Sequence, residues 1–282
     1  MGDLMKGKRG LIMGVANHNS IAWGAAKALA GQGAELAFTY QGEAFGRRVK
    51  PLAAEIGAGI VLPCEVEDSA SVEAVFSALK AEWGTLDFVL HAIAFSDKNE
   101  LKGRYADTTR ENFTRTMMIS CYSFTEVARH AAAMMTQGGS MVTMTYGGAT
   151  RVMPNYNVMG VAKAALEASV RYLAADFGPR NIRVNAVSAG PVRTLAGAGV
   201  SDARLMFNYQ RRNSPMRRNT TIQEVGGSVL YLLSELSNGV TGEIHYVDSG
   251  YNVMSMPALD ELKAQEQRKA ILEGDKGEDA EA

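Results

Sequence analysis

Short apolar runs recur along the chain at intervals wide enough to hold a helix between them, which is the repeat of βαβ units feeding a parallel sheet. The pattern predicts strands at 10–13, 35–40, 59–64, 86–92, 140–145, 183–188 and 243–247. Helices are predicted between them at 21–32, 44–56, 70–83, 111–135, 157–177 and 222–233. Several strands place apolar residues on consecutive rather than alternate positions, as burial under helices on both faces requires. The expected fold class is therefore α/β, a single doubly wound (Rossmann) domain with a seven-stranded parallel sheet and helices on both faces. No linker rich in Pro or Gly divides the chain, so one domain is expected over 1–257. Residues 258–282 form a charged tail whose end has no apolar face to bury, and disorder is expected there.

Composition narrows the function classes. The formal net charge of −1 provides no global field to gather nucleic acid or an anionic membrane, so neither is an expected partner. The two cysteines, Cys64 and Cys121, have no pairing motif and read as free thiols of a reducing cytoplasm. His18, His91, His130 and His245 lack ligand spacing, so no metal site is expected.

The first strand runs into Gly14-Val15-Ala16-Asn17-His18-Asn19-Ser20-Ile21-Ala22, after which helical periodicity begins. In sheets of this kind a glycine here lets backbone approach a nucleotide pyrophosphate, and the helix start offers unpaired N–H groups. Ser20 is placed as the N-cap, with its hydroxyl available to phosphate, and small Ala22 permits close packing of helix on strand. A ligand-free turn with a capping serine fits the same residues. At the second strand end Gln41 is neutral, which suits a ribose hydroxyl better than a 2′-phosphate and favours NADH over NADPH; Arg47 and Arg48 are the residues that could reverse this. Glu65 and Val66 end the third strand. They read either as contacts to an adenine ring or as an ordinary loop acid and its neighbour.

Tyr156 and Lys163 stand seven residues apart, nearly two helical turns, so both side chains leave one face separated by ~10.5 Å along the axis. Both are long enough to converge on one ligand. An ammonium near a phenol favours the phenolate and strengthens the hydroxyl as a donor, and the same ammonium can hold ribose hydroxyls.

With Tyr156-Asn157-Val158-Met159-Gly160-Val161-Ala162-Lys163, the turn Gly14-x5-Ser20-x-Ala22 and Ser188-Ala189-Gly190-Pro191-Val192-Arg193-Thr194, the chain resembles the bacterial NADH-dependent enoyl-acyl-carrier-protein reductases from Lys6 to about Met256. Ordinary short-chain dehydrogenases space tyrosine and lysine by four and carry a serine thirteen residues before the tyrosine. Counted back from Lys163, those two positions here hold Met159 and Tyr146, neither of which can do the ordinary job. The resemblance implies hydride delivery from NADH to the β-carbon of a trans-2-enoyl thioester on acyl carrier protein. It gives Tyr156 the developing enolate oxygen, Lys163 the cofactor ribose and Tyr146 the pocket shape. It also implies that Gly14, Ser20, Ile21, Gln41, Glu65, Val66, Ile93, Val192, Arg193, Thr194, Leu195 and Ala196 contact the cofactor. Ser96, Met159 and Met206 would meet the acyl chain together with the two tyrosines, and the assembly implied is a homotetramer.

Departures from the family pattern carry their own expectations. Ala92 and Ala94 stand where many relatives have serine and glycine, which would crowd flat aromatic inhibitors beside the nicotinamide. Arg211, Arg212, Arg217 and Arg218 read either as a docking face for the acidic carrier or as a solvated basic surface. The rivals to an enoyl reductase are a β-ketoacyl reductase of the same superfamily and a non-catalytic dinucleotide-binding protein.

Overall fold

The structure, a computed structural model, describes residues 2–192, 194, 203–264 and 266–267. Seven strands form one parallel sheet: β1 (Arg9–Met13), β2 (Glu35–Tyr40), β3 (Ile60–Pro63), β4 (Phe88–His91), β5 (Gly139–Thr145), β6 (Ile182–Ala189) and β7 (Ile244–Val247). Their spatial order is β3-β2-β1-β4-β5-β6-β7, so the order in which strands are added switches direction between the parallel neighbours β1 and β4. Crossovers of this length need helices. They are α1 (Ile21–Gly31), α2 (Gly42–Glu55), α3 (Ser69–Trp83), α4 (Arg110–Met117), α5 (Ser123–Met134), α6 (Asn157–Phe177), α7 (Ala203–Asn213) and α8 (Ile222–Leu233).

Because strand side chains alternate between faces, apolar residues at successive positions fill two cores. Leu11 and Met13 of β1 join Val89, Met141 and Val184 in a core closed by α3, α5 and α6 through Leu79, Phe124 and Leu166. Ile12, Leu90, Val142 and Val187 point the other way, into a core closed by α1, α2 and α8 through Trp23, Val49 and Val229. Burying one such side chain contributes roughly 1.5–3 kcal/mol, so the sheet is fixed from both sides. Side-chain caps set where helices start. Asp68 accepts from the Ala70 amide before α3, and Thr221 forms a capping box with Glu224 before α8, each a contribution of about 1 kcal/mol.

Two expectations about the helices are corrected. The periodic stretch 111–135 is not one helix: a π-helical turn, Met118–Tyr122, separates α4 from α5. The Ser123 hydroxyl donates to the Ile119 carbonyl at 2.6 Å inside this turn, and Ser120 faces the loop after β4 rather than its own helix. In addition, α7 was absent from the periodicity reading, because Arg204, Asn208, Gln210, Arg211 and Arg212 dilute its apolar positions. Within the charged tail, residues 259–264 are helical, while the end of the tail lies outside the described residues. No described helix is long and apolar enough to cross a membrane, and no described cluster of His, Cys, Asp and Glu could hold a metal.

Candidate active site

At the C-terminal edge of the sheet, around the point where strand order reverses, lies a cavity of about 1160 Å³. Its walls come from the segments that follow strands: Gly14 after β1, Ala92–Ser96 after β4, Tyr146 after β5 and Gly190 after β6. Such crevices are where open α/β sheets bind ligands.

Gly14 has φ +99°, and a Cβ there would lie 2.1 Å from the Ala92 carbonyl oxygen. Both the backbone conformation and the close approach therefore require glycine. Ser20 does occupy the N-cap position, but its side chain caps nothing. Its hydroxyl instead accepts from the Ala16 and Asn17 amides at 3.0 and 3.1 Å, folding the turn back on itself. The Trp23 amide is taken by the Ser20 carbonyl, while the Ile21 and Ala22 amides at the start of α1 lie beside the cavity, whose wall both residues join. Uncapped donors at a helix start suit a pyrophosphate.

Tyr156 immediately precedes α6, and Lys163 lies within it, buried. The seat of Tyr156 is defined by absence of side chain: a Cβ on Gly148 would lie 2.4 Å from its ring. Tyr146 meets the same ring edge-on, with centroids 5.1 Å apart and planes at 68°. The Lys163 ammonium donates to the Met144 carbonyl at 2.8 Å, tying α6 to the end of β5.

Burial, with the neighbouring Tyr146 adding to it, pushes the Tyr156 phenol far above the ordinary tyrosine range. Tyr146 is raised to about 12 by burial, with Tyr251 and Asp248 contributing. Burial lowers Lys163 to about 8, partly offset by Cys121 and Glu167. An adjacent ammonium would lower the phenol; for Tyr156 desolvation dominates and the direction is the opposite. Beneath the site, burial and Lys163 pull His91 down to about 3, so its imidazole is neutral. Its Nε2 lies 2.9 Å from Ser123 Oγ, whose own proton goes to Ile119, so Nε2 carries the hydrogen and donates.

Of the other predicted residues, Ile93, Ser96, Met159, Val192, Thr194 and Met206 all line the cavity. Gln41, Glu65 and Val66 do not. The Gln41 amide donates to the Glu65 carboxylate at 2.8 Å across the ends of β2 and β3, and Val66 packs on the core under α3 and α5. Arg193, Leu195 and Ala196 lie outside the described residues. Phe95, Lys98, Leu101, Met153, Pro154 and Phe207 line the cavity without having been predicted to. Leu101 and Met153 had a faint signal, as apolar residues in loops with no periodic partner. Three of the four candidate docking arginines are engaged within the chain: Arg212 with Glu261 at 3.4 Å, Arg217 with Asp260 at 3.4 Å and Arg218 with Glu224 at 2.6 Å. Arg204 lines the cavity.

Sheet order, glycine turn and cavity together define a doubly wound fold of the dinucleotide-binding class. A family model described as enoyl-(acyl carrier protein) reductase matches residues 14–252. The enoyl-[acyl-carrier-protein] reductase [NADH] 2 of Rhizobium meliloti (strain 1021) is 73% identical over 93% of this chain and 98% of its own length. Among solved structures, FabI from Candidatus Liberibacter asiaticus superposes with a TM-score of 0.90 at 58% identity, covering 92% of this chain and 100% of that one. The reductase of Anaplasma phagocytophilum, solved in complex with NAD, gives 0.88 at 56% identity over 92% and 97%. The chain belongs to the enoyl-acyl-carrier-protein reductase family.

Proposed function

We propose that this protein reduces the trans-2 double bond of enoyl-acyl-carrier-protein with NADH, giving the saturated acyl chain that closes a round of fatty acid elongation. The observation that carries the reading is a half-buried Tyr156, seated on Gly148 and lining the same cavity as the buried Lys163. The Rhizobium meliloti relative is named for NADH, and the Anaplasma phagocytophilum relative was solved with NAD.

When bound, the reduced nicotinamide supplies a hydride for the β-carbon of the 2-enoyl thioester. As charge gathers on the thioester oxygen, the Tyr156 hydroxyl donates to it. A donor aimed at such an oxyanion in a dry site is typically worth ~3–4 kcal/mol of barrier. One of the three ammonium N–H groups of Lys163 is held by Met144, leaving two for ribose hydroxyls. The α1 start with Gly14, Ser20 and Ile21 takes the pyrophosphate. Gln41, Glu65 and Val66 take the adenosine end, and Ile93, Val192, Arg193, Thr194, Leu195 and Ala196 enclose the nicotinamide end. Tyr146, Ser96, Met159 and Met206 bound the acyl chain, where flexible thioethers accommodate changing length.

The carrier protein approaches near Arg204, and the enzyme works in the cytoplasm as a homotetramer. Exposed Met118, Tyr122 and Tyr172, along the π turn and α6, supply apolar surface for subunit packing. Replacement Tyr156→Phe tests the reading: kcat on a 2-enoyl thioester is expected to fall by about 10²–10³, with NADH affinity within about twofold of the parent. Undiminished kcat in that variant refutes it.

A further inference from the structure

Tyr156 is flanked by two non-glycine residues in the left-handed region, Asn155 at φ +57° and Asn157 at φ +36°. Asparagine tolerates that conformation better than other side chains, but two bracketing one functional residue mark a backbone held there by its surroundings. The surroundings of Asn157 are specific. Its Nδ2 lies 3.4 Å from the Glu100 carbonyl oxygen, 3.5 Å from that of Lys102 and 3.3 Å from that of Gly103. Three acceptors converge on one group, and among the ends of the side chain only the NH₂ can serve them. Leu101, inside this run of carbonyls, packs with Tyr156, Val158 and Met159 in an apolar cluster separate from both sheet cores.

Residues 95–103 form one wall of the cavity through Phe95, Ser96, Lys98 and Leu101. The rest of this wall is fastened to α4 and the π turn. Ser120 brackets Phe95, accepting from its N–H at 3.0 Å and donating to its carbonyl at 3.1 Å, and Asn112 accepts from the Asp97 amide at 3.0 Å. The bonds from Asn157 instead tie the wall to the start of α6.

We infer that Asn157 is a positioning residue that fastens the 95–103 wall to the tyrosine it follows, so that the acyl chain is enclosed on the Leu101 side only while Tyr156 is correctly presented. The inference rests on the proposed role of Tyr156. The left-handed backbone turns the amide of Asn157 towards the wall, and the amide holds Leu101 against the phenol. Loss of the amide frees the wall without disturbing the cofactor side of the cavity.

Two variants separate backbone from side chain. Asn157→Gly keeps the left-handed conformation and removes the amide; Asn157→Asp keeps the shape and turns an acceptor towards three carbonyls. In both, hydrogen–deuterium exchange of full-length protein should show peptides spanning 98–103 exchanging about tenfold faster than the parent. The KM for a crotonyl or longer 2-enoyl thioester should rise about fivefold, with NADH affinity unchanged. Parental exchange at 98–103 in both variants, or an Asp variant indistinguishable from the parent, overturns the inference. Exchange is read without turnover, so an inactive parent would refute the proposed reaction while the exchange result still decides the clamp.

Discussion

The two ends of the proposed cofactor cleft are built on different principles. At the nicotinamide end, Lys163 is 5% exposed and bonded to Met144, and Tyr156 fills a seat made by a missing side chain. At the proposed adenosine end, Gln41 and Glu65 hold each other across two strand ends in an exposed pair. Burial shifts the ionisation of both reactive groups at the first end, whereas the pair at the second meets water, which competes for the same bonds. Chemistry is placed by packing that tolerates no displacement. On the proposed reading, cofactor choice rests on contacts that can be exchanged at little loss of stability.

This contrast is most sharply tested by Gly148→Ala. The added methyl group would sit 2.4–2.7 Å from the Tyr156 ring, so the ring must move. Displacement by a fraction of an ångström at the reacting end should lower kcat about 10–100-fold while NADH binding persists. A fully active Gly148→Ala enzyme would break the claim that the seat is rigid.

Next in size is a pH effect carried by Lys163. Its folded value of about 8 lies below the ordinary 10.5, so between these pH values the folded protein binds fewer protons than the unfolded chain. Stability from this group therefore rises as pH climbs through that window, because the destabilising buried charge is lost. The hold on ribose falls over the same window. NADH affinity measured by titration should weaken about tenfold between pH 8 and pH 10, and Lys163→Met should be weak and flat with pH. A Met variant that keeps the parental pH profile would assign the effect elsewhere.

The smallest effect belongs to the exposed end. Gln41→Ala should change NADH affinity by less than about fivefold and leave kcat intact, as loss of one solvated hydrogen bond implies. A collapse of kcat in that variant would show that the two ends are not independent.

The sheet was legible because burial on both faces writes itself as consecutive apolar positions, and the observed strands lie within a residue or two of those predicted. The π turn was not, since Met118–Tyr122 contains no Pro or Gly to mark a break in the helix; its evidence is Ser120 and Ser123 bonding outside the usual helical ladder. Tyr156 and Lys163 stood out by spacing, and the cavity contains both. The raised ionisation of the phenol was not legible, because it comes from burial, which spacing along a helix does not reveal. Gly148 and Asn157 had no sequence signal at all. Their roles depend on what a Cβ would strike and on where three carbonyls from a distant loop converge.

The central claim, that this cleft saturates a carbon–carbon double bond, is tested most directly by the absorbance of NADH mixed with the protein and each of two thioesters. A 2-enoyl thioester should bleach the cofactor signal in proportion to enzyme added, and a β-ketoacyl thioester should leave it standing. Bleaching by the keto compound with none by the enoyl compound would contradict the account.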